Sequence, residues 1–357
     1  SDRIHLCVPL ERSFPHAAVT LMPTLQDLRQ SKPVFYPDHT IHAEFACANL
    51  GLSFTSLDGD TGLLFRVASE AASHCFGGGR CSAFPQNDAT AATLANDKYF
   101  TQRILEDAGI STLSGQYFFL HARHRAHRPP GHERTDAMAY FAGLDHHAFA
   151  KPLNGSRGDF ARPLTGPDAL ANYMDEVAQF YDSVLLQPTV SGDEYRIFLL
   201  DGNEVFTVRK FPPTLTGDGM HSLRELLAVH DRNLQAHGLS PSGVTFDDAG
   251  EAGRILPAGQ CRELPGRMNR SAGGAMAFAR PHHHEFAVTL ARRATQALGL
   301  RAAAVDLFTG VDGDPAAMAV IEINANPSIR FLEDSGRDDL ILTIWRHTFI
   351  SIGLLHV

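Results

Sequence analysis

The chain has 357 residues, 44% of them hydrophobic and 20% charged, with a formal net charge of -9. That fits an ordinary soluble globular protein of two or three domains. The acidic balance, with no long Lys/Arg run, argues against a nucleic-acid partner. Five dispersed cysteines without a CxxC spacing fit reduced thiols. With no leader pattern and no 18-residue apolar run, a cytoplasmic protein that makes no membrane contact is expected. Nineteen histidines are scattered or lie in loops, without HExxH or finger spacing.

Residues 1–95 read as a small α/β unit. Strands are expected over 4–9, 52–57 and 63–67, and a short helix over 43–49 that stops near Gly51. The glycine-rich run Cys75 to Arg80 reads as a loop. Asn96 or Asp97 caps a helix with Phe100, Ile104, Leu105 and Ala108 on one face, stopped by Gly109. Lys98 lies in its first turn, where the helix dipole disfavours a cation unless an anion partners it. Taken alone, such a lysine is a solvated side chain.

Residues 121–136 are basic and Pro-rich and read as a loop. A strand over 148–151 delivers Lys151 to the small loop Pro152-Leu153-Asn154-Gly155-Ser156-Arg157-Gly158. Its backbone N–H groups and the Ser156 hydroxyl could reach phosphate oxygens. It has neither the Walker A nor the GxGxxG pattern. Pro167 opens a helix with Leu170, Tyr173, Met174, Val177 and Tyr181 on its apolar side. Strands are expected over 184–190, 195–201 and 204–210, the last two joined as a hairpin at Asp201-Gly202-Asn203. Glu194, Arg196 and Arg209 project from them. Ser222 with Glu225 forms a capping box. Residues 238–253 read as a loop, and Asn269 to Gly274 as a second glycine-rich segment. A helix over 285–298 buries Phe286, Leu290, Ala294 and Leu298 and ends at Gly299.

Two short apolar strands follow, over 302–308 and 320–324. Asp306 interrupts the first, and Glu322 and Asn324 interrupt the second. Alternation points Glu322 and Asn324 one way and Ile321 and Ile323 the other, into the core. Two carboxylates and an amide oxygen suit Mg²⁺, which keeps waters and phosphate oxygens in its remaining positions, and Mn²⁺ accepts the same donors.

These motifs occur in one order: Asp97-Lys98, Lys151-Pro152 with Gly155 to Gly158, Gln187 to Glu194, Asp306, and Glu322-Ile323-Asn324-Ala325-Asn326-Pro327. The series resembles the ATP-grasp superfamily of carboxylate–amine ligases, from about residue 43 to about residue 335. It looks most like the ATP-grasp part of cyanophycin synthetases and of bifunctional glutathione-synthesis enzymes. The resemblance implies an α+β, ATP-grasp fold behind the small N-terminal domain. A small subdomain would span 96–187 and a large one 188–357.

It also implies roles. Lys98 and Lys151 contact ATP phosphates, and Gly155, Ser156, Arg157 and Gly158 close over them. Gln187 to Val190 is the hinge strand facing adenine, and Glu194 accepts from the ribose hydroxyls. Asp306, Glu322 and Asn324 hold one or two Mg²⁺ ions. Arg209 and Asn269 lie near the γ-phosphate, and Arg330 meets the substrate carboxylate or acyl phosphate.

The implied activity is ATP-dependent amide formation on an amino acid or small peptide through an acyl phosphate. The amine belongs to a second molecule or to the same one, which would give a lactam. A kinase, or a nucleotide-binding module without turnover, stays as an alternative. The chain departs from the family in two places. Gln187 stands where many relatives have glutamate. Ala304 stands where some D-alanine–D-alanine-ligase-like members carry an arginine, which leaves that role to Arg209, Arg330 or Arg270. The chain ends at Val357, short of a cyanophycin-type second ligase domain, so polymer elongation of that kind is not expected. A homodimer is the default expectation, dimers being the commonest oligomers.

Overall fold

The computed structural model describes residues 23–79, 81–246, 248–265, 268 and 273–356. The expected strand over 4–9 and the segment Asn269 to Ala272 lie outside these residues. In chain order the front unit comprises α1 (Leu25–Ser31), α2 (Asp38–Leu50), β1 (Ser53–Ser56), β2 (Leu64–Ala68), β3 (Ser73–Gly77) and α3 (Ala89–Asn96). Next come α4 (Lys98–Asp107), β4 (Gln116–Phe119), α5 (Arg134–Gly143), β5 (His147–Pro152), β6 (Arg162–Thr165), α6 (Ala169–Val177) and β7 (Ser183–Gln187). The remainder is β8 (Asp193–Leu200), β9 (Asn203–Phe211), β10 (Thr214–Thr216), α7 (Leu223–Ala236), α8 (Ala249–Gly253), β11 (Cys261–Glu263), β12 (Ala275–Phe278), α9 (His284–Leu298), β13 (Ala302–Thr309), β14 (Met318–Asn324), α10 (Arg330–Asp334) and α11 (Asp338–Ser351).

Two antiparallel sheets set the frame. The larger has five strands in the order β12-β9-β8-β13-β14, and the smaller has four in the order β4-β7-β5-β6. In the large sheet alternation divides the side chains cleanly. Tyr195, Ile197, Leu199, Ala303, Val305, Leu307 and Ile323 join Leu290, Ala294 and Leu298 of α9 in one core. Phe198, Leu200, Phe206, Val208, Ala302 and Ala304 face the other way, into a second core with Trp345 and Phe349 of α11. The polar residues Glu194, Arg196, Lys210 and Asp306 continue that second face toward one end of the sheet.

The hairpin between β8 and β9 forms as expected. Asp201 and Gly202 both have positive φ, 48° and 76°, as the two central residues of a type I′ turn require. The capping box at the start of α7 forms too, with Glu225 N donating to Ser222 Oγ and Ser222 N donating to Glu225. In the small sheet, Ala148, Ala150, Leu164, Val184 and Leu186 pack under α5 and α6, which leaves Phe149 and Lys151 on the opposite face.

The front strands β1, β2 and β3 make an antiparallel meander with no helix between them. Their core is continuous with that of α2, α11 and the large sheet. Asn87 ties this region to the start of β13 and the end of β14. Its side chain accepts from Arg301 N and Ala302 N and donates to the carbonyls of Ala302 and Ala325. Asn87→Ala leaves these buried backbone groups unpaired. We expect a loss of about 1–3 kcal/mol, read as a lower urea midpoint at unchanged m-value.

Several expectations are corrected. The strand expected over 184–190 stops at Gln187, because Pro188 has no N–H for the ladder. The helix expected over 43–49 begins at Asp38, after Pro37. Half of the glycine-rich run is strand β3, the loop expected over 121–136 ends where α5 starts, and the 238–253 loop contains α8. Phe100 and Phe286 were expected on buried faces, yet they are 52% and 57% exposed. Leu105, not Phe100, carries the packing of α4, and Ala287, Ala291 and Ala294 bring α9 close to the sheet.

Candidate active site

One cleft of about 420 Å³ lies between the two sheets. Lys98 enters from the first turn of α4, Lys151 from β5, Glu194 from β8, Lys210 from β9, Asp306 from β13, and Glu322 and Asn324 from β14. The loop residues Gly155, Ser156, Arg157 and Gly158 form its rim. Arg157 and Gly158 both adopt positive φ, 56° and 71°, where the loop turns. The rim is anchored from outside: Ser240 N donates to Asp159 Oδ1 (2.9 Å) and Tyr181 Oη to Asp159 Oδ2 (3.0 Å).

The carboxylates are brought together by strand register. Asp306 stands directly opposite Glu322 on β14 and opposite Arg196 on β8. A bulge between Asp306 and Leu307 leaves Ile321 as the extra residue of β14. Ile321 therefore lines the cleft instead of entering the core, which corrects the simple alternation expected from sequence.

Asp306 is 1% exposed. Arg196 grips it with Nε on Oδ1 (2.7 Å) and a terminal nitrogen on Oδ2 (2.8 Å), and Lys210 Nζ reaches Oδ2 at 3.2 Å. Burial alone would push this carboxyl up; Arg196 and Lys210 outweigh it and hold it well below the usual carboxylate range. Glu194 pairs with Lys210. Burial pushes the Lys210 ammonium down, but Asp306 and Glu194 more than offset that and keep it charged. Glu322 is raised by burial and by Asp306, then lowered past its ordinary value by Lys98, Lys151 and Lys210. Asn324 Nδ2 donates to Glu322 Oε1 (3.1 Å).

The lysines have the opposite problem. Burial pushes Lys151 down to about 8, with Glu322 pulling back up and Lys98 adding to the fall. Burial also lowers Lys98, against Glu322 and Asp97. Lys98 Nζ donates to the carbonyls of Leu153 (3.2 Å) and Gly155 (2.6 Å), so it bridges α4 to the glycine-containing rim. Four cations, Lys98, Lys151, Arg196 and Lys210, thus face three carboxylates, Glu194, Asp306 and Glu322. The rim pair Arg157 and Asp159 cancels. The charges that line the cleft balance, and Arg196 behind Asp306 tips the cluster positive.

Other expected residues lie elsewhere. Gln187 is buried and donates to Leu113 O (2.6 Å). It lines a narrow recess that shares Lys98 and Glu322 with the main cleft. Val190 lies beyond the end of β7 and does not line the cleft. Arg209 sits on the opposite face of β9, paired with Asp193 (2.6 Å) and stacked over Phe211. Arg330 belongs to a separate ionic cluster, with Asp38 and Asp334 at 3.0 Å each. Asn269 and Arg270 lie outside the described residues. Arg196 and Lys210 carry charge to the carboxylates where Arg209 and Arg330 do not.

Oxygen donors on facing strands fit a hard divalent ion. Among the described residues no three His, Cys, Asp or Glu side chains converge as a metal cage. Two carboxylates and an amide suit Mg²⁺, which relies on phosphate and water for the rest of its shell.

No family model matches the chain. It is 28% identical over 263 residues to the glutathione biosynthesis bifunctional protein of Streptococcus thermophilus, covering 66% of this chain and 32% of that protein. It is 25% identical over 266 residues to the cyanophycin synthetase of Geminocystis herdmanii, covering 66% and 28%. The chain is a homologue of both. The resemblance to ATP-grasp ligases is borne out by these relatives, and the mixed helix-and-sheet structure bears out the α+β fold class. The chain spans about a third of the length of the curated relatives it matches. Among solved structures, a bifunctional glutathione synthetase from Pasteurella multocida aligns with 82% of this chain and 41% of its own, at 20% identity and a TM-score of 0.47. No helix among the described residues is long and apolar enough to cross a membrane.

Proposed function

We propose that the chain is an ATP-dependent carboxylate–amine ligase that activates an amino acid or small peptide as an acyl phosphate and joins it to an amine. The observation that carries this reading is the convergence of Lys98, Lys151, Lys210, Asp306 and Glu322 on one cleft with a glycine-containing rim. A carboxylate is a poor electrophile, since its oxide is a poor leaving group. Attack of its oxygen on the γ-phosphorus breaks the bond to the β,γ-bridging oxygen, releases ADP and leaves an acyl phosphate. The amine then adds to the carbonyl carbon, and inorganic phosphate departs. The first step spreads negative charge over phosphoryl oxygens, and the cleft lysines are placed to neutralise it. Mg²⁺, held by Asp306, Glu322 and Asn324 when bound, would supply further neutralisation of the phosphates. The rim from Gly155 to Gly158 excludes water that would hydrolyse the acyl phosphate.

The test is ADP release with amino acids and dipeptides offered singly and in pairs, with products resolved by mass. An amide product supports the ligase. A stable phosphate ester makes the chain a kinase, and nucleotide binding without ADP release makes it a regulatory module.

Lys151 gives the reading a pH signature. In the free protein its ammonium titrates near 8, and a bound phosphate raises that value. Nucleotide affinity should hold below pH 8 and weaken as pH rises through it, approaching roughly tenfold per pH unit by proton linkage. Binding titrations from pH 6.5 to 9.5 would reveal it, and Lys151→Met should abolish the slope.

A further inference from the structure

We propose that Arg196 keeps Asp306 closed to a free divalent cation, so that the cation enters the cleft only together with a polyphosphate. The proposal rests on the reading of the cleft as a metal–nucleotide site and adds the order in which its two occupants assemble.

The geometry is specific. Arg196 stands directly across from Asp306 in the register of β8 and β13, and its fork takes both carboxylate oxygens. Lys210 Nζ shares one of them. A carboxylate neutralised by a bidentate guanidinium and an ammonium has little field left for a dication, and a dication beside it would meet two like charges. Glu322 is no better placed, because Lys98 and Lys151 both act on it. Arg196 cannot lose its proton, so pH does not lift the block. It is not among the residues lining the cleft and its side chain is 14% exposed. Arg196 therefore acts through Asp306, as a positioning residue.

A triphosphate changes the balance. Its several negative charges draw on Lys98, Lys151 and Lys210 and leave the cleft negative. A cation is then favoured between the phosphates and the two carboxylates. Coupling of this kind is reciprocal: whatever the nucleotide adds to metal affinity, the metal adds to nucleotide affinity.

Mn²⁺ is the probe, with bound and free ion separated by paramagnetic resonance, with and without a non-hydrolysable ATP analogue. In the wild type, Mn²⁺ without the analogue should bind at least tenfold more weakly than with it. Arg196→Gln should strengthen nucleotide-free Mn²⁺ binding by tenfold or more, and Arg196→Lys, which keeps the charge, should stay close to the wild type. Should Arg196→Gln fail to fold, Lys210→Met removes the second cation on Asp306 and should shift Mn²⁺ binding the same way. Equal Mn²⁺ affinity with and without a bound analogue overturns the proposal, as does a folded Arg196→Gln variant that gains nothing. An analogue that does not bind the wild type at all, judged by displacement of a fluorescent nucleotide, removes the nucleotide reading itself.

Discussion

Lys151→Met is expected to cut ADP release by about 10²–10³-fold while leaving the protein at least as stable as the wild type at pH 7. The first half follows from position. Lys151 is 6% exposed at the end of β5, on the cleft face of the small sheet, above Glu322 and beside Lys98. It lines the cleft at a buried position, where one preorganised donor counts heavily. The second half follows from its titration. The folded-state value, near 8, lies below the ordinary lysine value of 10.5. Folding therefore favours the neutral amine, and this contribution is fully present above the unfolded pKa and lost as pH falls through about 8. At pH 7 the protein carries a buried ammonium at a cost in stability. Methionine has similar length and removes that cost. A thermal melt that stays level or rises, with ADP release gone, is the signature of a residue kept for chemistry. Unchanged ADP release in a folded Lys151→Met protein would remove the cleft from the reaction.

How far the site was legible in sequence depends on the kind of residue. Asp306, Glu322 and Asn324 are legible because each interrupts an apolar strand where burial alone would penalise it, whereas Lys98, Lys151 and Glu194 are singled out only by the family resemblance; all six line one cleft. One residue decides which side of β9 Arg209 faces. Counted back from the Asp201-Gly202 turn with no irregularity, Arg209 falls opposite Glu194. A bulge between Phe198 and Leu199 inserts Val205, so Lys210 takes that position and Arg209 passes to the other face. The bulge at Ile321 acts likewise on β14. Neither bulge has a glycine or proline to announce it. The helix α11 is a different failure: Ile341, Ile344, Trp345, Thr348 and Phe349 repeat at helical spacing and are buried, a signal that was present and unread. The front unit was harder, because its helices and its meander bury themselves against α11 and the large sheet, and no local pattern names a partner so distant in sequence.

Asp306→Ala should differ sharply from Glu322→Gln, although both remove a carboxylate from the same cleft. Asp306 is wholly buried and neutralises Arg196 and, in part, Lys210. Deleting it leaves a buried guanidinium without its bidentate partner, a loss of about 3–5 kcal/mol for breaking a buried ion pair from one side. Glu322 is only half-buried, and Asp306 repels it from the facing strand. Glu322→Gln relieves that repulsion while giving up attraction to three lysines, so its unfolding midpoint should move little. Chemical denaturation separates the two, and ADP release should be lost in both. The sign against pH follows from the depressed Asp306 carboxyl: its stabilisation is in place above the ordinary carboxylate range and is lost as pH falls below it. Acid unfolding of the wild type should therefore have a limb that Asp306→Ala lacks. An Asp306→Ala protein as stable as the wild type would mean that Arg196 and Lys210 find other anions, and that Asp306 is not the keystone of the charge cluster.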